Sequence, residues 1–173
     1  LKIPTSFKLR ELSDLNVPIL KEMLIEAPGT YNHSMMVASL AEAGAEAISA
    51  NTLLARVGAI YHDIGKIENA EYFVENQIHE KNLHDNLKPS LSASIIKSHV
   101  KNGVDKVKKL NLPQEICDII QQHHGTSVIR FFYEKAKSEK IKEDGNDIAE
   151  FELNQGDFSY AGPKPQTKES IIV

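Results

Sequence analysis

The distribution of histidine is the feature that most constrains how this sequence can fold. The chain has seven histidines in 173 residues. Residues three or four positions apart share one face of a helix, and by that rule five histidines point fully or partly inward from four predicted helices. An aspartate directly follows one of the five. The fold must therefore accommodate several inward-facing imidazoles and a carboxylate, which are His33, His62, Asp63, His99, His123 and His124.

The neighbours of each histidine define these apolar faces. His62 follows Gly58 and Ala59, small residues that allow two helices to approach closely. His99 and His123 each follow two isoleucines at helical spacing. The helix that carries His33 is predicted to bury one stripe of side chains, consisting of Met36, Leu40, Ala43, Ala47 and Ile48.

The pattern is helical through most of the first 140 residues, and sustained period-2 alternation is absent from the sequence. It predicts an all-α, single-domain bundle of about six or more helices, near 13–26, 30–50, 53–66, 90–110, 114–124 and 126–140. Residues 1–12 are interpreted as a linker, 69–88 as a polar connector of the length that is often functional, and 141–162 as a mobile surface loop. Thr167 is predicted to cap a last helix from Lys168, inside which the chain ends at Val173.

Composition excludes several classes of protein. The net charge is −4, with 20 basic and 24 acidic residues, and no basic stripe of the kind that binds duplex nucleic acid is present. No run approaches the roughly 18 apolar residues of a membrane span, so this stretch is expected to be soluble. The lone Cys117 excludes an intramolecular disulfide and is interpreted as buried core.

Clustered buried imidazoles favour a metal site. Each histidine alone is more typical of a hydrogen-bonded core residue. Five together carry a desolvation cost and repel one another when protonated, unless a cation binds their neutral form. Six ligands of mixed nitrogen and oxygen type exceed the four of one tetrahedral zinc. Because Asp63 can bridge two ions, the set predicts two divalent metals, with iron or manganese favoured.

Two metals in turn predict hydrolysis of a phosphate ester. Paired cations about 3.5–4 Å apart activate a bridging water and stabilise both the attacking and the leaving oxygen at phosphorus. Asp63 is the predicted centre of this chemistry. Lys66, three residues later, is predicted to meet the substrate phosphate or the leaving oxygen, although a lysine near a helix end can equally serve the helix dipole.

Several motifs resemble a known family. His62-Asp63-Ile64-Gly65-Lys66 is similar to the HD-x-G-K motif of HD-domain phosphohydrolases. The chain resembles more closely the HD module of bacterial seven-transmembrane receptors with an intracellular HD hydrolase domain. The segments that carry this closer resemblance are 26–34 (EAPGTYNHS), 98–100 (SHV), 122–126 (QHHGT) and 158–165 (FSYAGPKP).

The resemblance implies a helical HD fold and hydrolysis of the second messenger cyclic di-AMP to linear pApA. It places one metal on His33, His62 and Asp63, and the other on the three remaining histidines, with Asp63 bridging. It also implies an inner-membrane parent receptor whose cytoplasmic side carries this domain. A homodimer is compatible with it. Substrate contacts are expected from Tyr31, Asn32, Lys66 and Thr126, with Tyr61, Tyr72 and Phe73 as further rim candidates for base recognition.

The chain departs from the family pattern in one respect. The family has a final metal-binding aspartate in the last helix, and no aspartate occurs between Thr167 and Val173. The first metal is therefore expected to be under-coordinated in this chain. Three alternatives remain open from sequence: hydrolysis of another phosphoester such as cyclic di-GMP, an RNA end or a nucleotide; a cyclic dinucleotide sensor without turnover; and a purely structural metal site.

Overall fold

The computed structural model describes residues 4–77, 82–144 and 153–173. Over these residues the chain is helical, and its only extended pairing is an isolated bridge between Val128 and Ser159. The predicted all-α fold is confirmed. The α-helices are α1 (Ser6–Leu12), α2 (Pro18–Glu26), α3 (Pro28–Ala47), α4 (Thr52–Tyr61), α5 (Pro89–Lys109), α6 (Gln114–Gln122), α7 (Arg130–Asp144) and α8 (Lys168–Ile172). Short 3-10 helices cover Ile64–Tyr72, Val74–Asn76, Leu83–Asn86 and Gln155–Phe158.

Local sequence explains where the helices begin. Proline occupies the first position of α2, α3 and α5, where its missing N–H is not needed and its fixed φ suits the first turn. The side chain of Asn51 caps α4 by accepting a hydrogen bond from the backbone N–H of Leu54 at 3.0 Å. Thr167 forms a capping box with Ser170, so the predicted start of the last helix is confirmed.

Helix α3 buries a different face from the one predicted. Its buried residues are small, and they lie against α4, its most extensive neighbour. Met36 and Leu40, expected in the core, are 63% and 72% exposed. Small side chains allow the two helices to approach closely, and this close approach leaves the bulky residues outside. The buried set is Thr30, Ser34, Ala38, Ala41 and Ala45.

The region interpreted as a linker at 1–12 is helical where it is described. Leu9 and Leu12 of α1 are 1% and 4% exposed and belong to the main core. The Tyr61 hydroxyl donates a hydrogen bond to the Leu12 carbonyl at 3.0 Å. Residues 6–12 are therefore part of the domain, and the linker interpretation is wrong for them.

The polar connector and the acidic loop are also more ordered than expected where they are described. The connector forms short 3-10 helices, and His84 within it is buried against the rings of Tyr72 and Phe132. Helix α7 continues to Asp144, and Phe158 is 2% exposed in a second small core. These flanks are therefore not irregular, and the mobility of 141–162 stays a prediction. Its centre, 145–152, and His79 in the connector lie outside the described residues.

Helix α8 closes one side of the bundle. The Glu169 carboxylate accepts a hydrogen bond from the backbone N–H of Asn51 at 2.7 Å, and Lys168 donates to the carbonyl of Ile48 at 3.1 Å. These contacts attach α8 to the end of α3 and the start of α4. Among the described residues, no helix combines the length and the hydropathy needed to cross a membrane.

Candidate metal centre

The six predicted ligands converge at one place in the bundle. They come from α3, from the turn after α4, from α5 and from the turn after α6. They form two groups, in each of which one donor atom per residue lies within 4.8 Å of the others. The first cluster is His33, His62 and Asp63, and the second cluster is Asp63, His99, His123 and His124. Asp63 belongs to both, as a bridging carboxylate would.

A glycine brings the two halves of this centre together. Gly65 lies two residues after Asp63, and a Cβ placed on it would lie 1.8 Å from the His99 carbonyl oxygen and 2.4 Å from the Gly103 amide nitrogen. Only a residue without a side chain permits this backbone contact between the turn and α5. The contact holds His99 beside Asp63, with 3.4 Å between His99 Nε2 and Asp63 Oδ1.

Backbone carbonyls fix the orientation of three imidazoles. Since a carbonyl only accepts hydrogen bonds, the nearby Nδ1 must carry the proton, which leaves Nε2 as a free lone pair. Such an arrangement is typical of metal-binding histidine. The Nδ1–carbonyl distances are 2.7 Å from His62 to Ala59, 2.5 Å from His99 to Ile96 and 2.8 Å from His123 to Ile120.

The free nitrogens face one another and Asp63. His99 Nε2 lies 3.3 Å from His123 Nε2. Because each ring carries its proton on Nδ1, the lone pairs of the two Nε2 atoms face each other. Asp63 is 2% exposed, and its Oδ1 is a buried oxygen without a hydrogen-bond partner. Such a concentration of unpaired donors is costly unless a cation binds it. The residues present therefore fit a divalent metal pair.

Electrostatics favour the metal-binding protonation states of His99, His124 and Asp63. Burial lowers the pKa of His99 to about 4, and burial together with the neighbouring His123 lowers the pKa of His124 to about 3. Burial opposes ionisation of Asp63, yet the charges of His62 and Lys66 hold its pKa well below its usual value. His99 and His124 are thus neutral and Asp63 is ionised near neutral pH, whereas at His62 burial is outweighed by the charge and hydrogen bond of Asp63, which raise its pKa.

Lys66 lies inside the centre and bridges two carboxylates. Its Nζ is 2.9 Å from Asp63 Oδ2 and 2.7 Å from Glu75 Oε1, and it lies 4.9 Å from the centroid of the Phe73 ring. Its burial favours the neutral form, but the two carboxylates raise its pKa. Its position fits the predicted role at the reaction centre better than the helix-dipole alternative, because its partners are carboxylates and not helix-end carbonyls.

Glu75 is a residue of this site that the sequence analysis missed. Its carboxylate accepts a hydrogen bond from Thr30 Oγ1 at 3.3 Å, and the adjacent Asn76 side chain accepts one from the Thr30 amide at 3.0 Å. A Cβ on Gly29 would lie 1.8 Å from the Glu75 carbonyl oxygen, so glycine there permits the close approach. Nothing in the local sequence around Glu75 points to a partner on α3, because the contact is tertiary.

Tyr160 is a second addition from the structure. Its ring stacks on His124 with centroids 4.1 Å apart and an angle of 18° between planes, and it lies 6.0 Å from the His99 ring. Burial and the charge of Asp63 raise its pKa. The segment around Tyr160 entered the sequence analysis only through the family resemblance, which assigned it no role.

Three of the expected substrate contacts lie at exposed or half-buried positions. Tyr31 is half-buried against the core, and Asn32 is exposed directly before His33. Thr126 is exposed, close to Gly162. These three stay predictions. Tyr61 is wrong as a rim candidate, because it is fully buried and its hydroxyl is used by the Leu12 carbonyl.

Comparison with known proteins agrees with this geometry. The family model described as HD domain matches residues 30–173. The chain is 50% identical over 171 residues to "Cyclic-di-AMP phosphodiesterase PgpH" of Bacillus subtilis, covering 99% of this chain and 23% of that protein. It is 52% identical over 169 residues to the protein of the same name from Listeria monocytogenes, covering 98% and 22%. The chain thus spans less than a quarter of the length of these relatives.

A solved structure matches as well. The L. monocytogenes phosphodiesterase PgpH HD domain in complex with cyclic-di-AMP superposes with a TM-score of 0.83 at 50% identity, over 92% of this chain and 70% of that one. The sequence motif, the bundle and the shared aspartate all agree with the family model that matches most of the chain. The chain belongs to the HD-domain family.

Proposed function

We propose that this chain is the catalytic module of a phosphodiesterase that hydrolyses cyclic di-AMP to linear pApA with two divalent metal ions. The observation that carries the proposal is the position of Asp63, which is shared between the two donor clusters. The relatives named above, and the related domain in complex with cyclic-di-AMP, support the substrate. An imidazole and carboxylate donor set favours iron or manganese.

The residues of the site have separable roles in this reaction. His33 and His62 would hold one ion and the remaining three histidines the other, with Asp63 contributing to both. When bound, the ions supply an acidified water and neutralise charge on the phosphodiester. The carbonyl-bound Nδ1 protons keep the Nε2 atoms available as ligands.

Lys66 would act at the substrate and not at the metals. Its ammonium group lies 2.9 Å from Asp63, so it is close to the position of a phosphate bound there. A fixed positive charge at that point stabilises the negative charge that develops on the phosphoryl and leaving oxygens. Tyr31, Asn32 and Thr126 are proposed as further substrate contacts at the rim of the site.

The larger protein is proposed to be a membrane receptor that presents this domain on the cytoplasmic side. The family resemblance supports this proposal, and the small share of the relatives' length that the chain covers is consistent with a larger parent. The net charge of −4 gives no electrostatic support for binding to duplex nucleic acid.

The test is hydrolysis of cyclic di-AMP with Mn²⁺ supplied, followed by chromatography of the products. We expect linear pApA from the wild-type chain, slower cleavage of cyclic di-GMP, and no cleavage by Asp63→Ala. Asp105→Ala, which removes an exposed carboxylate of α5 outside the clusters, is the matched control and should retain activity. Binding of cyclic di-AMP without cleavage would instead support a sensor, and cleavage by the folded Asp63→Ala variant would contradict the proposed centre.

A further inference from the structure

Two side chains of the polar connector lie in the interior, although neither belongs to the donor clusters of the described chain. They are Phe73 and His84, and each is 5% exposed. The connector, residues 69–88, is of a length that is often functional. Its buried side chains mark the places where it meets the metal centre and the rest of the core.

The ring of Phe73 contacts two residues of the metal centre. Lys66 Nζ lies 4.9 Å from the ring centroid, and the His99 ring meets it at an angle of 89° with centroids 5.7 Å apart. The face of an aromatic ring attracts an ammonium group, and more strongly where water is excluded. Because Phe73 is buried, its ring offers little surface to a substrate base, and its available partner is the lysine.

The connector encloses Lys66 from two directions. The Phe73 ring provides one contact, and the carboxylate of Glu75, two residues later, provides the other at 2.7 Å from Nζ. The lysine side chain is only 13% exposed. A lysine has a long and flexible stem, so contacts of this kind restrict the positions that its ammonium group can take. A charge that is already in position stabilises a transition state without further reorganisation.

His84 fixes the backbone directly before Phe73. Its Nε2 lies 2.9 Å from the Tyr72 carbonyl oxygen, and since a carbonyl only accepts hydrogen bonds, Nε2 carries the proton. The His84 ring also packs against Phe132 of the second small core, with centroids 5.0 Å apart. Within the described ranges its Nδ1 is buried without a hydrogen-bond partner. An unpaired buried acceptor is unfavourable, so the bond to Tyr72 is what distinguishes histidine from an apolar residue here.

We propose that Phe73 is a positioning residue for Lys66 in the reaction. His84 acts through Phe73, because its hydrogen bond fixes the carbonyl of the preceding residue. The inference rests on the proposed function, in which Lys66 stabilises charge on the phosphoryl and leaving oxygens. It adds two residues that direct the lysine without touching the substrate. Because the lysine acts in the transition state, loss of the ring lowers kcat and leaves KM nearly unchanged.

The experiment measures kcat and KM for cyclic di-AMP with saturating Mn²⁺. Phe73→Leu keeps an apolar side chain and removes the aromatic face, and Phe73→Met takes its place if that variant does not fold. The same change at Phe7, which is 73% exposed on α1, is the matched control. His84→Leu removes the donor, whereas His84→Gln places an amide N–H near the position of Nε2. Thermal unfolding and bound Mn²⁺ are measured for every variant.

We expect Phe73→Leu to lower kcat about tenfold, the scale of one desolvated cation–π contact, with KM within about twofold of wild type. Bound Mn²⁺ and the Phe7→Leu control should match the wild type. His84→Leu should also lower kcat, and His84→Gln should restore most of the loss. In a Lys66→Gln background, Phe73→Leu should lower kcat by less than about twofold, since the ring acts through the ammonium group.

A folded Phe73→Leu protein with wild-type kcat would overturn the inference and leave the proposed function standing. The same holds if its loss is equally large in the Lys66→Gln background. Loss of bound Mn²⁺ together with kcat would also overturn it, because the ring would then support the second cluster through His99. Equal activity of His84→Leu and His84→Gln would exclude the role given to His84. If the wild type does not cleave cyclic di-AMP, the proposed function fails and this inference fails with it.

Discussion

Replacement of Gly65 by alanine tests whether the contact between the turn after α4 and helix α5 builds the metal centre. The new Cβ would lie 1.8 Å from the His99 carbonyl oxygen and 2.4 Å from the Gly103 amide nitrogen. Both atoms are backbone, so no side-chain rotation relieves the clash. One of the two backbone segments must move by about 1.5 Å to restore ordinary contact.

The magnitude follows from this displacement. Forcing an extra methyl group into a filled interior costs about 1–3 kcal/mol, and backbone neighbours place this substitution at the upper end. For a chain of 173 residues, a loss of about 3 kcal/mol lowers the melting temperature by roughly 6–12 °C. The same movement separates His99 from Asp63, whose facing atoms are now 3.4 Å apart, so metal binding at the second cluster should weaken as well.

The assay is thermal unfolding with and without Mn²⁺, together with metal content after dialysis. Gly44→Ala is the matched control. Its Cβ would meet only Ile172 Cγ2 at 3.4 Å, which is ordinary contact, and alanine favours a helix interior over glycine by about 1 kcal/mol. We expect Gly44→Ala to be at least as stable as the wild type, and Gly65→Ala to lose both stability and metal. A Gly65→Ala protein with unchanged melting temperature and metal content would refute the close-contact reasoning.

Three further predictions follow from the centre. Glu75→Gln should lower catalytic activity about 10-fold to 100-fold, the scale of one hydrogen bond to a charged group, because it weakens the contact that holds Lys66 Nζ at 2.7 Å. The exposed Glu71→Gln control should not lower activity, and equal activity of the two variants would contradict a role for Glu75. Metal titration should show tighter binding at the second cluster, which has four donor residues against three in the first, and a single class of equal sites would argue otherwise. The metal-free chain should lose stability from about pH 6.5 towards pH 4, because the pKa values of His33, His99 and His124 are lowered in the folded state and the unfolded state therefore binds more protons there, whereas the raised pKa of His62 acts in the opposite direction on one group against three. Denaturant unfolding at pH 7 and pH 5 measures this, and equal stability would contradict the pKa assignments.

Sequence periodicity predicts the type of each element well, but it predicts poorly which face of α3 is buried. The helical class and the cap at Thr167 follow from local rules that involve only residues a few positions apart. The buried face of α3 depends on its partner. Close packing against α4 buries the small residues and leaves Met36 and Leu40 exposed. The spacing of apolar residues alone does not predict this.

The candidate site divides in the same way between local and tertiary information. Histidine and aspartate side chains at helical spacing predict the six candidate donors, because the chemistry of a ligand resides in its own side chain. Their convergence on Asp63 depended on the Gly65 contact with α5. The partnership of Glu75 with Lys66 and the stacking of Tyr160 on His124 join segments far apart in the chain. Only tertiary structure decided these, since distances between remote segments depend on how whole helices pack against one another.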